Sequence, residues 1–274
     1  MLRRLIRAAL GLVGLEAIRV PGRERRLLVM DRRTGRHLGP DLLLHEHLAR
    51  LFERYAVDCV LDVGANTGQY ATELRQAGYR GRILSFEPLP HLYARLQEAA
   101  ARDRAWTVHP IALGRDASVA ELIVTRHDVF TSFREPLPLA AARFGEATDV
   151  ARRERVPVRR LDDVLDELLG GGPPPRCFLK MDTQGYDLEV FAGLGRWASQ
   201  VVGLQSEVAA IALYAGMPRM AEAIACYEAA GFELTGLFPV SHDEPSGRVI
   251  EFDCVLVRAA ALPNRKPSSF GQPA

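Results

Sequence analysis

Three short segments of this chain carry residue types whose spacing could bind a nucleoside and act on something beside it. The first is Val60-Leu61-Asp62-Val63-Gly64-Ala65-Asn66-Thr67-Gly68, an apolar strand pattern that runs into a glycine turn and then a helical pattern. Gly64 and Gly68 permit close backbone approach to a ligand, and the start of a helix presents free amide donors. No Gly-Lys-Ser/Thr follows, which argues against a phosphate-cradling loop. The glycine spacing also differs from the Gly-x-Gly-x-x-Gly of dinucleotide enzymes.

The second segment, Ser85-Phe86-Glu87-Pro88, puts a carboxylate at the C-terminal edge of a strand pattern. A carboxylate there can accept both hydroxyls of a ribose. The third, Phe178-Leu179-Lys180-Met181-Asp182-Thr183-Gln184-Gly185-Tyr186-Asp187, alternates so that Lys180 and Asp182 share one face of a strand. Asp182 falls at the strand edge, where open α/β sheets bind ligands, and is either a site residue or half of a structural ion pair with Lys180. Asp187 and Glu189 are expected on the exposed face of the helix that follows.

These segments need a scaffold that brings strand ends together. Between Val57 and Arg258, apolar runs of strand length alternate with helical patterns, the signature of βαβ units and a mostly parallel sheet. The strand expectations are Val57 to Val63, Arg82 to Glu87, Trp106 to Leu113, Cys177 to Asp182, Val201 to Glu207, Phe232 to Phe238 and Val249 to Val257. Helices are expected over Thr67 to Ala77, Pro90 to Ala101, Leu161 to Leu169 and Met217 to Ala230, punctuated by Gly78, Pro90, Gly170 to Gly172 and Gly231. The fold class this gives is α/β, a Rossmann-like seven-stranded, mostly parallel sheet with an antiparallel closing strand and helices on both faces. Residues 118–158 break the alternation and read as an insertion where a substrate lid would sit.

The 274 residues include 35 basic and 34 acidic side chains, a net charge of +1, so no global field points to nucleic acid. Cys59, Cys177, Cys226 and Cys254 are far apart, with neither zinc-site spacing nor disulfide density, and read as free thiols of a cytoplasmic protein. Residues 1–56 are expected to form an N-terminal helical extension. Its start, with Leu2, Leu5, Ile6, Ala9 and Val13 opposite Arg3, Arg4 and Arg7, has the pattern of a basic amphipathic helix that is neither cleaved nor inserted. It packs on the protein's own body, on a second subunit of a homo-oligomer, or, through residues 1–18, on the periphery of the inner membrane face. Residues 259–274 read as a flexible tail.

Taken together, Leu61-Asp62-Val63-Gly64-Ala65-Asn66-Thr67-Gly68, Ser85-Phe86-Glu87-Pro88, His109-Pro110-Ile111-Ala112-Leu113-Gly114 and Leu179 to Asp187 resemble, in order and spacing, the FkbM family of S-adenosylmethionine (SAM)-dependent methyltransferases. The resemblance runs from Val57 to Arg258. It implies a Rossmann-like enzyme that methylates hydroxyl oxygens of sugars, polyketides or glycolipids. It also implies that Asp62, Gly64, Asn66 and Gly68 border the methionine part of SAM, Glu87 the ribose, and Ala112 and Leu113 the adenine, with Asp182 beside the sulfonium. Gln184 departs from the family pattern, in which a Glu is common.

An alcohol is protonated at neutral pH, so O-methyl transfer needs a base, or a metal, to take the proton as attack proceeds. The candidates are Asp182, Glu207 and His242. Asp182, Glu207 and Asp243 together could hold a divalent, Mg²⁺-like ion, although the spacing does not require one. The acceptor is expected to be a small molecule or a glycolipid bearing a hydroxyl. Two other classes use the same elements: an NAD-type oxidoreductase would bind NAD and not SAM, and a non-catalytic interaction protein of the SAM fold would bind cofactor without methyl transfer.

Overall fold

The computed structural model describes residues 15–19, 27–31, 41–169, 171–243 and 245–261. The chain divides into two compact units, residues 1–46 and 47–274. In the first, strand β1 (Leu15–Arg19) pairs antiparallel with β2 (Leu27–Asp31), Leu15 opposite Asp31. The extension is therefore not helical throughout: two short aliphatic runs flank a Pro21-Gly22 pair, a sequence signal for chain reversal. The amphipathic pattern of residues 1–14 and the expected tail beyond residue 261 lie outside the described residues. Helix α1 (Asp41–Arg54) carries the unit boundary within it, earlier than the expected break after residue 56. Its C-terminal half belongs to the second unit because the Phe52 ring packs at a tilt on Phe178 and edge-on to Tyr79 there, ring centroids 4.8 and 5.2 Å away.

The second unit is built on a seven-stranded sheet. In chain order its elements are β3 (Cys59–Val63), α2 (Gln69–Gln76), β4 (Arg82–Phe86), α3 (Pro90–Ala100) and β5 (Trp106–His109). Next come β6 (Ala112–Gly114), β7 (Ser118–Thr125), α4 (Pro138–Phe144), β8 (Val150–Arg160) and α5 (Leu161–Leu169). The chain closes with β9 (Cys177–Met181), α6 (Asp187–Ala192), β10 (Val201–Ala209), α7 (Met220–Ala229), β11 (Glu233–Asp243) and β12 (Arg248–Val257). The strand order is β11-β12-β10-β9-β3-β4-β5, with β12 antiparallel to both of its neighbours and the remaining pairs parallel. This is the expected doubly wound sheet with an antiparallel closing strand.

One expected strand is divided. Trp106 to Leu113 breaks after His109 because Pro110 has no amide to donate to a ladder. Its second part, β6, leaves the main sheet and pairs parallel with β8, which pairs antiparallel with β7. The insertion thus supplies most of a separate three-stranded sheet, β6-β8-β7.

Because side chains alternate along strands, the register sets two adjacent rows on opposite faces of the main sheet. Leu84, Leu61, Leu179, Leu204 and Leu256 stand side by side on five strands. They join the principal core with Leu161, Leu165, Val190 and Tyr227 from α5, α6 and α7. One residue further along, Ser85, Asp62, Lys180 and Gln205 stand side by side on the other face, all buried. A polar row inside a sheet must be paired within the protein, and this one is except at Gln205 Oε1, which no hydrogen bond among the described residues reaches. Ser85 Oγ donates to Asp62 Oδ2 at 3.0 Å, Trp106 Nε1 donates to Ser85 Oγ at 2.9 Å, and Gln205 Nε2 donates to Asp253 Oδ1 at 3.0 Å. Among the described residues no helix is long and apolar enough to cross a membrane. Cys59, Cys177 and Cys254 are buried free thiols and Cys226 is an exposed one.

Candidate active site at the strand ends

The loops that leave β3, β4 and β9 are tied to one another by backbone bonds. The amides of Gly64 and Ala65 donate to Phe86 O at 3.1 and 3.0 Å, and the amide of Asp182 donates to Val63 O at 3.1 Å. Gly64, at φ 75°, passes so close to β9 that a Cβ would fall against the carbonyl oxygen of Asp182. Gly68, at φ 88°, faces Trp106 and Leu96, whose atoms would lie 2.8 and 3.0 Å from a Cβ. Both glycines are therefore required by the packing of the protein on itself, a reason the spacing alone did not supply.

Asp62 has no exposed surface. Its carboxylate accepts from Ser85 and lies 3.2 Å from Lys180 Nζ. Lys180 in turn lies 3.6 Å from Asp182 Oδ2, donates to Gly64 O at 3.3 Å and sits 5.4 Å from the centre of the Tyr70 ring. Burial alone would lower the Lys180 ammonium, but the carboxylates of Asp62 and Asp182 outweigh it and hold the group above its ordinary value. Asp62 thus underpins the loop floor and holds Lys180, with its side chain closed off from any ligand above.

Glu87 follows β4 and is almost fully buried. Its Oε2 accepts from the Asn66 amide and its Oε1 from the Leu89 amide, both at 3.0 Å. Burial pushes its carboxyl up to about 7, against the opposing pull of those two amides and of Lys180. Asn66 adopts φ 49°, a left-handed conformation that Asn tolerates better than most residues. Two bonds leave the carboxylate further lone pairs for two hydroxyls. Ala112 and Leu113 are buried in core packing rather than lining an opening, at 5% and 2% exposure. Beside them His109 is half-buried and stacks on Phe86 at 5.3 Å, its ring kept below its ordinary pKa by burial.

After β9 and β10 a second group assembles. The side-chain amide of Gln184 donates to Asp182 Oδ1 at 3.1 Å and to Glu207 Oε2 at 2.7 Å, and its Oε1 accepts from Tyr214 OH at 2.8 Å. Gln184 is left-handed at φ 51° and is followed by Gly185 at φ 86°. Burial, then the charges of Asp182 and Glu251, hold the Glu207 carboxyl well above its ordinary value. Glu251 accepts from Ser241 Oγ at 2.9 Å and is pushed by burial up to about 7.

The insertion closes against this group. Ser132 Oγ donates to Gln184 O at 2.7 Å, and Arg134 donates to Gly185 O at 2.8 Å and to Gly216 O at 2.7 Å. The Leu137 amide donates to Leu213 O, and the Ala215 amide to Glu135 O, both at 2.8 Å. The expected lid is a strap, bonded along residues 132–137 to the loops that follow β9 and β10. No sequence motif marks Arg134 or Tyr214, and Ser132, with Phe133, stands out in the sequence only as a further point of similarity to the FkbM pattern. The pairings they make with other segments span 30 to 84 residues, and no local pattern announces them.

Three expectations are corrected. Asp187 is buried, not on an exposed helix face: it accepts from the Thr183 amide at 2.9 Å and from Ser206 Oγ at 2.6 Å, which turns the first residue of α6 inward. Glu189, half-buried, pairs with Arg115 at 2.8 Å. Asp243 does not join Asp182 and Glu207, because it is buried at the end of β11 and occupied by Arg143, 3.0 Å away. Among the described residues no group of three or more His, Cys, Asp or Glu side chains is arranged to hold a metal. His242 is exposed on edge strand β11, opposite Val249, and no hydrogen bond among the described residues links it to the carboxyl pair.

Solved structures that resemble the chain are distant. A fibrillarin from Aeropyrum pernix with natively bound S-adenosyl-L-methionine is 14% identical, with 89% of this chain and 94% of that one covered and a TM-score of 0.44. An rRNA methylase from Streptococcus thermophilus is 11% identical, covering 80% and 96% at a TM-score of 0.42. A methyltransferase-like protein from Streptococcus mutans in complex with SAH is 9% identical, covering 80% and 97% at a TM-score of 0.42. At such scores these likenesses carry no weight for function, and no curated protein sequence matches the chain. The sequence profile of the methyltransferase FkbM domain, by contrast, matches residues 62–234, which span Asp62, Glu87, Asp182 and Glu207. With well over half its length inside that match, the chain belongs to the FkbM family of methyltransferases.

Proposed function

We propose that this methyltransferase moves the methyl group of SAM to a hydroxyl of a sugar, glycolipid or polyketide-type acceptor. The observation that carries the reading is the convergence at one sheet edge of Glu87, with lone pairs to spare for a ribose, and of the Asp182–Gln184–Glu207 group. Glu87 would hold the two ribose hydroxyls, the turn from Gly64 to Gly68 the methionine end, and the segment His109 to Ile111, half-buried at both ends and exposed at Pro110, the purine face. Bound SAM would supply a methyl already activated on a sulfonium, which leaves the protein the tasks of alignment and proton removal. Asp182 and Glu207 provide the negative charge that suits a sulfonium and a place for the hydroxyl proton.

Calorimetric titration of the purified chain with SAM, SAH and NAD separately tests the cofactor assignment. SAM and SAH are expected to bind and NAD not, and Glu87→Ala is expected to weaken SAM binding at least tenfold. Binding of NAD without SAM would overturn the proposal. Radiolabelled methyl SAM offered with a panel of sugars, glycolipids and polyketide alcohols then tests the acceptor class. Label confined to amine or carboxylate products would rule out the hydroxyl assignment.

A further inference from the structure

We infer that Gln184 is a positioning residue that holds Asp182 and Glu207 as one hydrogen-bonded pair and leaves Glu207 Oε1 as the proton-accepting atom of the acceptor site. This rests on the methyltransferase reading for the identity of the reaction. The geometry of the pair stands independently of it.

A primary amide has two N–H donors in one plane, and Gln184 spends one on each carboxyl, at 3.1 and 2.7 Å. The orientation is fixed by its partners. Turning the amide over would set its carbonyl oxygen against two carboxyl oxygens and would take from the Tyr214 hydroxyl the nearer of its two acceptors, Gln184 Oε1 at 2.8 Å, leaving it Phe130 O at 3.1 Å. Tyr214 is itself buried, and its bridge to Pro136 places it under the strap. The Gln184 backbone is pinned as well, by Ser132 Oγ on its carbonyl and by the left-handed turn it shares with Gly185. Such a conformation in a residue other than glycine persists only where its surroundings impose it.

The clamp divides the work between the two carboxyls. Asp182 has both oxygens engaged, Oδ1 by Gln184 and Oδ2 by Lys180 at 3.6 Å, which leaves neither free to take a proton from an acceptor. Glu207 has Oε2 engaged by Gln184, and among the described residues no hydrogen bond reaches its Oε1. Burial, and after it the charge of Asp182, raises the affinity of Glu207 for its proton. In the transfer step the acceptor oxygen forms its bond to the methyl carbon, and the carbon–sulfur bond breaks with its electron pair going to sulfur. The hydroxyl proton passes to the Glu207 carboxylate. Glu207 must be ionised when this begins, and the N–H of Gln184 is the bond that makes the anion tolerable. A sulfonium brought beside the pair would act in the same direction.

The test follows Glu207 directly, by carboxyl carbon NMR of the full chain labelled on its glutamates, with Glu207→Gln identifying the resonance. In Gln184→Met, which keeps the volume and removes the donors, the affinity of Glu207 for its proton is expected to rise on the order of tenfold, the effect of one charge-assisted hydrogen bond. Tyr214→Phe keeps the amide but frees its orientation, and gives a smaller change of the same sign even where Gln184→Met folds poorly. Saturating SAM is expected to move the Glu207 titration to lower pH, whereas SAH, which lacks the charge, leaves it in place. A Glu207 titration unchanged in both variants while SAM binds normally overturns the role of Gln184 alone. Equal displacement by SAM and SAH overturns the placement of Glu207 beside the sulfonium. Failure of the wild type to bind SAM at all overturns this inference together with the methyltransferase reading.

Discussion

Asp62 and Lys180 face each other across neighbouring parallel strands at 3.2 Å, and the pair is almost closed to solvent, with side-chain exposures of 0% and 7%. Lys180 is one of only two lysines among the 35 basic residues, the rest being arginines. A compact ammonium fits between Asp62, Asp182, Gly64 O and the Tyr70 ring, where a planar guanidinium would not.

Removal of one partner strands the other. Lys180→Met is expected to lower stability by about 3–5 kcal/mol, because an unpaired buried carboxylate remains. Asp62→Leu together with Lys180→Met is expected to recover most of that loss. Urea denaturation of the two single variants and the double variant checks this, and a double variant no better than Lys180→Met contradicts it.

Glu87 links stability to pH. Its carboxyl in the folded protein is raised to about 7 from 4.5, so the native state binds a proton that the unfolded chain has lost. The contribution is whole below about pH 4.5, declines as pH rises through about 7, and amounts to about 3 kcal/mol across that window. Denaturation of the unliganded protein at pH 5 and pH 8 is expected to show stability falling with pH, and Glu87→Gln to flatten that fall. SAM affinity runs the other way, rising through pH 7 as the carboxylate becomes free to accept two hydroxyls. Calorimetry at the same two pH values measures it.

Two glycines with similar backbone angles should respond very differently to alanine. Gly64 (φ 75°) would drive a Cβ into the Asp182 carbonyl, whereas Gly78 (φ 99°) has no atom within 4 Å of the position. Gly78→Ala is expected to cost about 1 kcal/mol, from its left-handed backbone alone. Gly64→Ala is expected to cost several times more, since β3 and β9 must separate. Thermal melts of the two variants compare them.

His242 should be dispensable. Exposed on β11 and unconnected to Asp182 or Glu207 by any hydrogen bond among the described residues, it is expected to tolerate His242→Ala with SAM affinity and methyl transfer within about twofold of wild type. A tenfold loss of transfer would return it to the site.

Arg134 should govern the strap. It bonds the carbonyls of Gly185 and Gly216 at once, so Arg134→Ala is expected to speed hydrogen exchange in residues 126–149 while leaving the central strands protected. Exchange followed by mass spectrometry resolves the two regions.

The strand ends were legible in the sequence because buried parallel strands are largely apolar runs, and the chemistry sits at or just before the point where each run stops: at Asp62, one residue before the end of β3, and at Glu87 and Asp182, directly after β4 and β9. Local pattern could also place α2, α3, α5 and α7 to within a few residues. It could not show that Pro110 sends the following residues into a different sheet, which depends on β8 lying some 40 residues later to receive them. Nor could it separate a glycine needed by a ligand from one needed by a neighbouring carbonyl, as at Gly64. The burial of Asp187 follows from Ser206, and the fixing of Gln184 from Ser132 and Tyr214; both are contacts between remote parts of the chain.

The two rows that cross the main sheet bear on how the sheet assembles. A slip of one residue between β3 and β9 would turn Asp62 or Lys180 toward the leucines that meet α5 and α7, and a leucine toward Ser85 and Gln205. Every misaligned pairing therefore carries a buried charge without its partner, while the native one satisfies four strands together. The ionic centre that supports the site thus also specifies the register of the sheet, because each wrong alignment is costlier than the native one.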